Sequence, residues 1–186
     1  DYQQDSVNAA VAHFRSSVES AVIVLPTGAG KSIVIAELAR IANGNILILT
    51  HVKELVAQNA EKVGLLTDKA NIYSAGLNQK KSNGKTVVAS VQSAARALDK
   101  FTQPFSLVII DECHRGGAND EGTWRGILDY FSSAVHLGLT ATPKRTDNAD
   151  TYDYFGEPVF TYSLKEGVQD GFLTPFKVKR IQTTID

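Results

Sequence analysis

Residues 21–32 read Ala21-Val22-Ile23-Val24-Leu25-Pro26-Thr27-Gly28-Ala29-Gly30-Lys31-Ser32. The apolar, β-branched run that opens this stretch is a strand buried on both faces. Pro26 and the two glycines break it, and Lys31-Ser32 opens a segment of helical period. Gly28 and Gly30 permit positive φ and bare backbone approach, so successive amides can curl around phosphate oxygens. A helix beginning near Lys31 adds the partial positive charge of its N-terminus. Strand, loop and helix in this order make Pro26, Thr27, Gly28, Ala29, Gly30, Lys31 and Ser32 a candidate polyphosphate cradle. Lys31 would reach the terminal phosphates, and Ser32 would ligate magnesium. The full pattern has a glycine at position 25, where this chain has leucine. The plainer alternative is a glycine-rich turn beside an incidental lysine.

A second motif follows another apolar run, Leu107-Val108-Ile109-Ile110, and reads Asp111-Glu112-Cys113-His114. Neighbouring residues at a strand end diverge, so one carboxylate can face a metal and the other a water. Asp111 is the candidate magnesium ligand, and Glu112 the candidate group that polarises an attacking water. His114 sits two residues past that base, within reach of the terminal phosphate. Alone, the acidic pair would read as a solvated turn, and the histidine as a satisfied core or surface residue. Together with the upstream loop, the motifs point to ATP and Mg2+ as cofactors.

Around these two stretches, short apolar runs alternate with helix-period segments. Ala21–Leu25, Ile46–Thr50, Thr86–Ser90, Leu107–Asp111 and Ala134–Thr140 read as strands. Ser32–Ala42, Val52–Val63 and Gln92–Lys100 carry apolar residues at three- and four-residue spacing and read as helices. Such alternation predicts an α/β fold with parallel strands, crossover helices and a sheet covered on both faces. Ligands gather at the carboxyl ends of such strands, where Pro26, Thr50, Ser90, Asp111 and Thr140 all fall. Gln79–Lys85 reads as a polar basic loop, and Lys80, Lys81 and Lys85 as solvated. Phe101, Phe105, Trp124, Tyr130 and Phe131 lack the basic interleaving of a base-stacking platform and are expected in the core and helix packing.

The formal net charge is −1, so no global basic field announces a nucleic-acid partner, although a local stripe would suffice. Cys113 is the single cysteine, which excludes an intramolecular disulfide and fits a reducing cytoplasm. No run approaches membrane-spanning length, so no membrane partner is expected. The chain opens without methionine and ends on an apparent strand, Val178 to Ile185, and so reads as a fragment of a longer protein.

Asp111–His114, with Gly138-Leu139-Thr140-Ala141-Thr142-Pro143 downstream, resembles the first motor domain of superfamily 2 helicases and translocases. The likeness runs along essentially the whole chain. It implies a RecA-like P-loop domain, a mostly parallel central sheet with helices on both faces, over residues 1–175. Residues 176–186 would then begin a connection to a second RecA-like domain. Tyr2-Gln3-Gln4 resembles the family's start, where a glutamine reads the adenine edge, and Gln3 matches best. Thr50-His51-Val52-Lys53-Glu54-Leu55-Val56-Ala57-Gln58 is similar to the first nucleic-acid motif, and Ser90-Val91-Gln92-Ser93 to a second.

On this basis Thr50, His51, Lys53, Ser90, Gln92 and Ser93 are candidate contacts to a phosphate backbone. From residue types alone, helix capping by Thr50 or Ser90 is equally consistent. The resemblance assigns Thr140 and Thr142 to coupling nucleotide state to strand movement, with Lys144 and Arg145 just beyond. Asp1 to about Arg115 resembles RadD-type DNA-repair helicases, including the Leu25-Pro26 variant of the loop. Gly116 to Asp186 is similar to the motor subunit of type I restriction enzymes at Thr123-Trp124-Arg125, Lys144-Arg145-Thr146-Asp147, Tyr154-Phe155-Gly156 and Tyr162–Gly167.

Both branches imply an ATP-driven DNA helicase or translocase in a repair or restriction setting. Nuclease or specificity subunits are the further partners the resemblance implies. The alternatives are an RNA helicase and a non-catalytic, nucleotide-gated binding module. A small-molecule phosphotransferase is disfavoured by the Thr-Ala-Thr segment. Without the second domain, weak ATP binding and little turnover are expected of these residues alone.

Overall fold

The computed structural model describes residues 1–114, 121–142 and 151–175, and the side chains of 121–123 and 151 lie outside that description. The elements are α1 (Tyr2–Ser16), β1 (Ala21–Val24), α2 (Lys31–Ile41), β2 (Ile46–Thr50), α3 (Lys53–Leu66), β3 (Asn71–Ser74), β4 (Gln79–Lys80), β5 (Thr86–Ser90), α4 (Val91–Ala95), β6 (Leu107–Asp111), α5 (Glu121–Tyr130), β7 (Val135–Thr140), α6 (Thr151–Phe155), β8 (Phe160–Thr161) and α7 (Leu164–Gln169). They build one sheet in the order β4-β3-β5-β2-β6-β7-β1-β8. Every pairing is parallel except β3 with β4.

The five expected strands form the centre of this sheet, buried along nearly their whole length. Successive residues alternate between two cores, as the pleat requires. Ile23, Ile46, Ile48 and Ile109 pack under α1, α2 and α3 with Val34, Ile35 and Val56. Val22, Leu47, Leu49 and Ile110 pack under α4, α5 and α6 with Ala94, Trp124, Ile127 and Phe155. Each fully buried Ile or Leu contributes about 1.5–3 kcal/mol relative to exposure. Both faces are therefore covered, which parallel strands with crossover helices require. Among the described residues no helix is long and apolar enough to cross a membrane.

Four expectations need correction. Gln92–Lys100 is not one helix: α4 ends at Ala95, and a separate 3-10 turn covers Leu98–Lys100. The tightened bonds Lys100 N to Ala97 O and Phe101 N to Leu98 O, both 3.0 Å, swing Phe101 into a ring cluster with Tyr73, Phe105 and Phe131. Gln79–Lys85 is not wholly loop, since Gln79 and Lys80 add an antiparallel edge strand to β3. Nor is Lys85 simply solvated: its Nζ donates to Ala42 O (2.6 Å) and Gly44 O (2.8 Å), satisfying carbonyls past the end of α2. Finally, Tyr130 is 52% exposed and meets Phe131 edge-on, whereas the other four aromatics are buried. The expected strand at 178–185, Arg115, Gly116, Pro143 and Lys144–Asp147 lie outside the described residues.

Candidate active site

The sheet order sets the site. β7 lies between β1 and β6, so the loop after β1 and the acids after β6 flank the Thr140 end of β7. Leu25 N extends the ladder to Thr140 O at 2.9 Å before the chain turns. Gly28 (φ +86°) and Gly30 (φ +79°) then adopt the left-handed conformation that the turn demands. Gly30 caps α2 with no side-chain bond, so no side chain takes the first helical amides, and Gly30, Lys31 and Ser32 line a cavity. That cavity, about 290 Å³, is lined by Thr27, Gly28, Gly30, Lys31, Ser32, Leu55, Gln58, Asn59, Asp111 and Glu112. α1 closes the loop from behind: Gln3 Nε2 and Tyr2 OH both donate to Ala29 O, at 2.9 and 3.0 Å. A methyl group on Gly30 would run into the Gln3 amide.

Lys31 Nζ stands 3.2 Å from Glu112 Oε1 and 3.4 Å from Leu25 O. Glu112 has φ +57°, an uncommon conformation for a residue with a Cβ. This left-handed step separates the two carboxylates. Both line the cavity, with Asp111 only 4% exposed. Asn59 Nδ2 donates to Asp111 Oδ2 at 2.9 Å, and Asp111 Oδ1 is buried without a hydrogen-bond partner. Burial raises the proton affinity of Asp111. Its bond from Asn59 opposes that shift, Glu112 adds to it, and Lys31 opposes it.

An unbonded carboxylate oxygen and a serine hydroxyl lining one cavity are a donor set that suits magnesium, which takes one or two protein carboxylates and fills the rest of its shell with phosphate and water. Gln58 Nε2 lies 3.4 Å from that serine, Ser32 Oγ.

His114 Nδ1 is 2.6 Å from Thr140 Oγ1 and 3.4 Å from Glu112 Oε2. A proton on Nδ1 would serve both oxygens; without it, the Thr140 hydroxyl donates to the ring. Thr142 N donates to Thr140 Oγ1 at 3.1 Å. Glu112, His114, Thr140 and Thr142 thus form one chain of contacts from β6 to the turn after β7. Gly138 makes this spacing possible, since a Cβ there would stand 2.9 Å from Cys113 Sγ and 3.2 Å from Phe155. Cys113 is fully enclosed, and burial pushes its thiol well above the usual range, so it acts as packing.

The candidate nucleic-acid residues share the next stretch of the same edge, because Thr50 pairs with Ser90 across β2 and β5. Thr50 is buried, and its hydroxyl turns back to Val52 O at 3.3 Å. His51 is half-buried in the turn before α3, and Lys53 opens α3 with its side chain 60% exposed, 3.9 Å from Glu54. Ser90 caps α4, accepting from Ser93 N at 3.3 Å and donating to Ser93 Oγ at 2.8 Å. Ser93 Oγ also accepts from Ala75 N at 3.0 Å, while Gln92 is exposed.

Asn59 is the residue that sequence reasoning missed. The buried residues of α3 are Val56, Asn59 and Val63, so a polar amide occupies the helix's apolar stripe. That misplaced polarity was the available signal.

With this geometry in hand, residues 1–145 match the ResIII family, described as the res subunit of type III restriction enzymes. The chain belongs to that family. The endonuclease subunit of the Escherichia coli type I restriction enzyme EcoAI is 36% identical over the whole chain, which covers 24% of that protein. The DNA 3'-5' translocase XPB2 of Sulfurisphaera tokodaii is 29% identical over the whole chain, covering 40% of that protein. A solved fragment assigned to an HsdR subunit of a type I restriction enzyme from Vibrio vulnificus superposes with a TM-score of 0.70 at 32% identity, over 91% of this chain and 31% of that one.

ResIII membership and the sheet topology agree on a first RecA-like motor domain of the superfamily 2 type. The EcoAI relative aligns with the first half of the chain as well as the second. The chain spans about a quarter of that relative's length, 24%.

Proposed function

We propose that this domain binds and hydrolyses ATP as the first half of a DNA helicase or translocase motor. The observation that carries the reading is the convergence of Lys31, Ser32, Asp111 and Glu112 on one cavity of about 290 Å³ at the N-terminus of α2. Ser32 and Asp111 hold magnesium. When bound, that ion neutralises charge on the phosphates and orients them. The amides of Gly28–Ser32 and the Lys31 ammonium take the phosphate oxygens, and Gln3 stands at the adenine end.

Glu112 is held by Lys31 at 3.2 Å. A phosphate that draws the ammonium away leaves Glu112 free to accept a proton from water. His114 and Thr140, already in contact with each other, carry that change to Thr142. Of the six residues assigned to nucleic acid, Lys53 and Gln92 are the most accessible and meet the DNA backbone with His51 and Ser93, while Thr50 and Ser90, both buried, hold the edge that presents them. Residues 1–175 form the domain, and 176–186 lead to a second RecA-like domain that completes the site. Nuclease or specificity subunits are the remaining partners, and the cytoplasm is the compartment.

Steady-state ATP hydrolysis by the full-length protein, with duplex DNA, single-stranded DNA, RNA or nothing added, tests the reading. Stimulation by duplex DNA supports a restriction-type translocase, and preference for single strands a repair-type helicase. RNA as the better activator replaces the DNA reading. ATP binding that no nucleic acid accelerates leaves a nucleotide switch and overturns the motor.

A further inference from the structure

α3 reaches the metal side of the cavity with two consecutive polar residues. Gln58 approaches Ser32, and Asn59 bonds Asp111. Asn59 is 1% exposed and sits between Val56 and Val63 on the stripe that packs the helix onto the sheet. A buried amide is costly there unless it is hydrogen-bonded, and a leucine would fill the same stripe. Its orientation follows from chemistry: an ionised carboxylate only accepts, so the amide nitrogen faces Asp111. The bond commits Oδ2, at 2.9 Å, and leaves Oδ1 as the buried oxygen with no hydrogen-bond partner. Asn59 also lies one position beyond the stretch Thr50–Gln58 that the sequence links to nucleic acid.

We infer that Asn59 is a positioning residue for the magnesium site, locking the Asp111 carboxylate so that Oδ1 is presented to the cation. The inference rests on the ATP-and-magnesium reading above. Asn59 acts through Asp111, so its loss weakens metal binding and leaves the phosphate loop's own grip on nucleotide intact. Partners that orient a metal ligand in this way typically carry about 10–100-fold in metal affinity.

The test uses the full-length protein with Mn2+ as the probe, its binding followed by electron paramagnetic resonance in the presence of ADP. Nucleotide affinity is measured separately in EDTA. Asn59→Leu keeps the branched shape and removes the donor, and Asn59→Ala removes the same donor with less bulk, so overpacking and a cavity are tested by different variants. Val63→Ala disturbs the same helix face away from Asp111.

The expected result is a loss of about 10–100-fold in Mn2+ affinity for the Asn59 variants, with unchanged nucleotide affinity in EDTA and wild-type Mn2+ affinity for Val63→Ala. Wild-type Mn2+ affinity in a folded Asn59 variant overturns the inference. So does an equal loss in Val63→Ala, which would make the effect one of helix packing. Failure of the unmodified protein to bind Mn2+ with nucleotide strikes the ATP reading itself, and is distinguished by needing no variant.

Discussion

Along one edge of the sheet, the ends of β1 and β6 depart from local backbone rules, and the ends of β2 and β5 follow them. At the first pair, Gly28, Gly30 and Glu112 sit at positive φ, an Asp111 oxygen is buried without a hydrogen bond, and a lysine is held by the residue proposed as base. At the second pair, Ser90 caps its helix, Ser93 accepts from Ala75, and Thr50 closes onto Val52. Strain and unsatisfied polarity persist only where surrounding structure holds them, and they cluster at functional sites. By that criterion the nucleotide side declares itself without any relative, while on the side assigned to nucleic acid Ser90 caps α4 and α3 begins at Val52 without a side-chain cap, so the capping expected of Thr50 is not made. A phosphate backbone asks only for exposed donors, which need no strain to present.

The largest effect should come from Glu112→Gln, which keeps the shape of the side chain and removes its basicity. Loss of a general base costs about 10²–10⁴ in rate. Single-turnover hydrolysis by the full-length protein should fall by that factor while nucleotide still binds. A loss smaller than about tenfold, well short of what a missing general base costs, would mean that the unusual backbone at Glu112 serves something other than the reaction.

Gly30→Ala tests the loop by stability instead of rate. A Cβ in the left-handed region costs roughly 1–2 kcal/mol, and here the Gln3 amide must also move. Urea denaturation should show a loss of about that size, with weaker nucleotide binding. A variant as stable as the parent would show that the turn relaxes freely, and the contrast between the two pairs of strand ends would narrow.

The strands that hold the site were legible because they are short, mostly apolar runs, such as Ile46–Leu49 and Leu107–Ile110, the pattern that double-sided burial favours. The loop and the acids were legible because phosphate and magnesium dictate residue types at fixed spacing. What escaped notice was short or peripheral. β4 and β8 have two residues each and sit at the sheet's two edges, where pairing and not composition decides. α1 buries only Ser6, Val7 and Ala10, too sparse a stripe to announce a helix. Gln92–Lys100 has helical spacing, but the pull of Phe101 into the ring cluster breaks it. Asn59 escaped because its partner lies fifty-two positions away and meets it only in the fold.

Asp111 offers a pH test of the same contrast. Burial raises its folded-state proton affinity, so the native state binds a proton more tightly than the unfolded chain does. Stability is then retained below the ordinary carboxylate range and falls as pH rises through the raised native value. Asp111→Asn still accepts from Asn59 through its amide oxygen and carries no charge. Thermal melts should show the variant gaining on the parent as pH rises from 3 to 7, with the gap closing in acid. A gap independent of pH would show that the carboxylate is not strained by burial.

The smallest expected effect tests the side that obeys local rules. Ser90→Ala removes an N-cap and should cost about 1 kcal/mol of stability whether or not DNA is ever bound. Lys53→Ala removes an exposed side chain whose ion pair with Glu54, at 3.9 Å, holds it only loosely, so stability should stay within about 0.5 kcal/mol. Its consequence should appear elsewhere, as a reduction of about one in the slope of log affinity for DNA against log salt concentration. Those two variants separate the roles that the sequence left superposed on this edge. If Lys53→Ala leaves the salt slope unchanged while Ser90→Ala lowers stability as expected, the β5 end is a structural cap, and the DNA path runs over another part of the protein. If the slope falls and the melting temperature holds, the quiet edge is the one that tracks DNA, and its ordinary backbone is what lets it bind any sequence it meets.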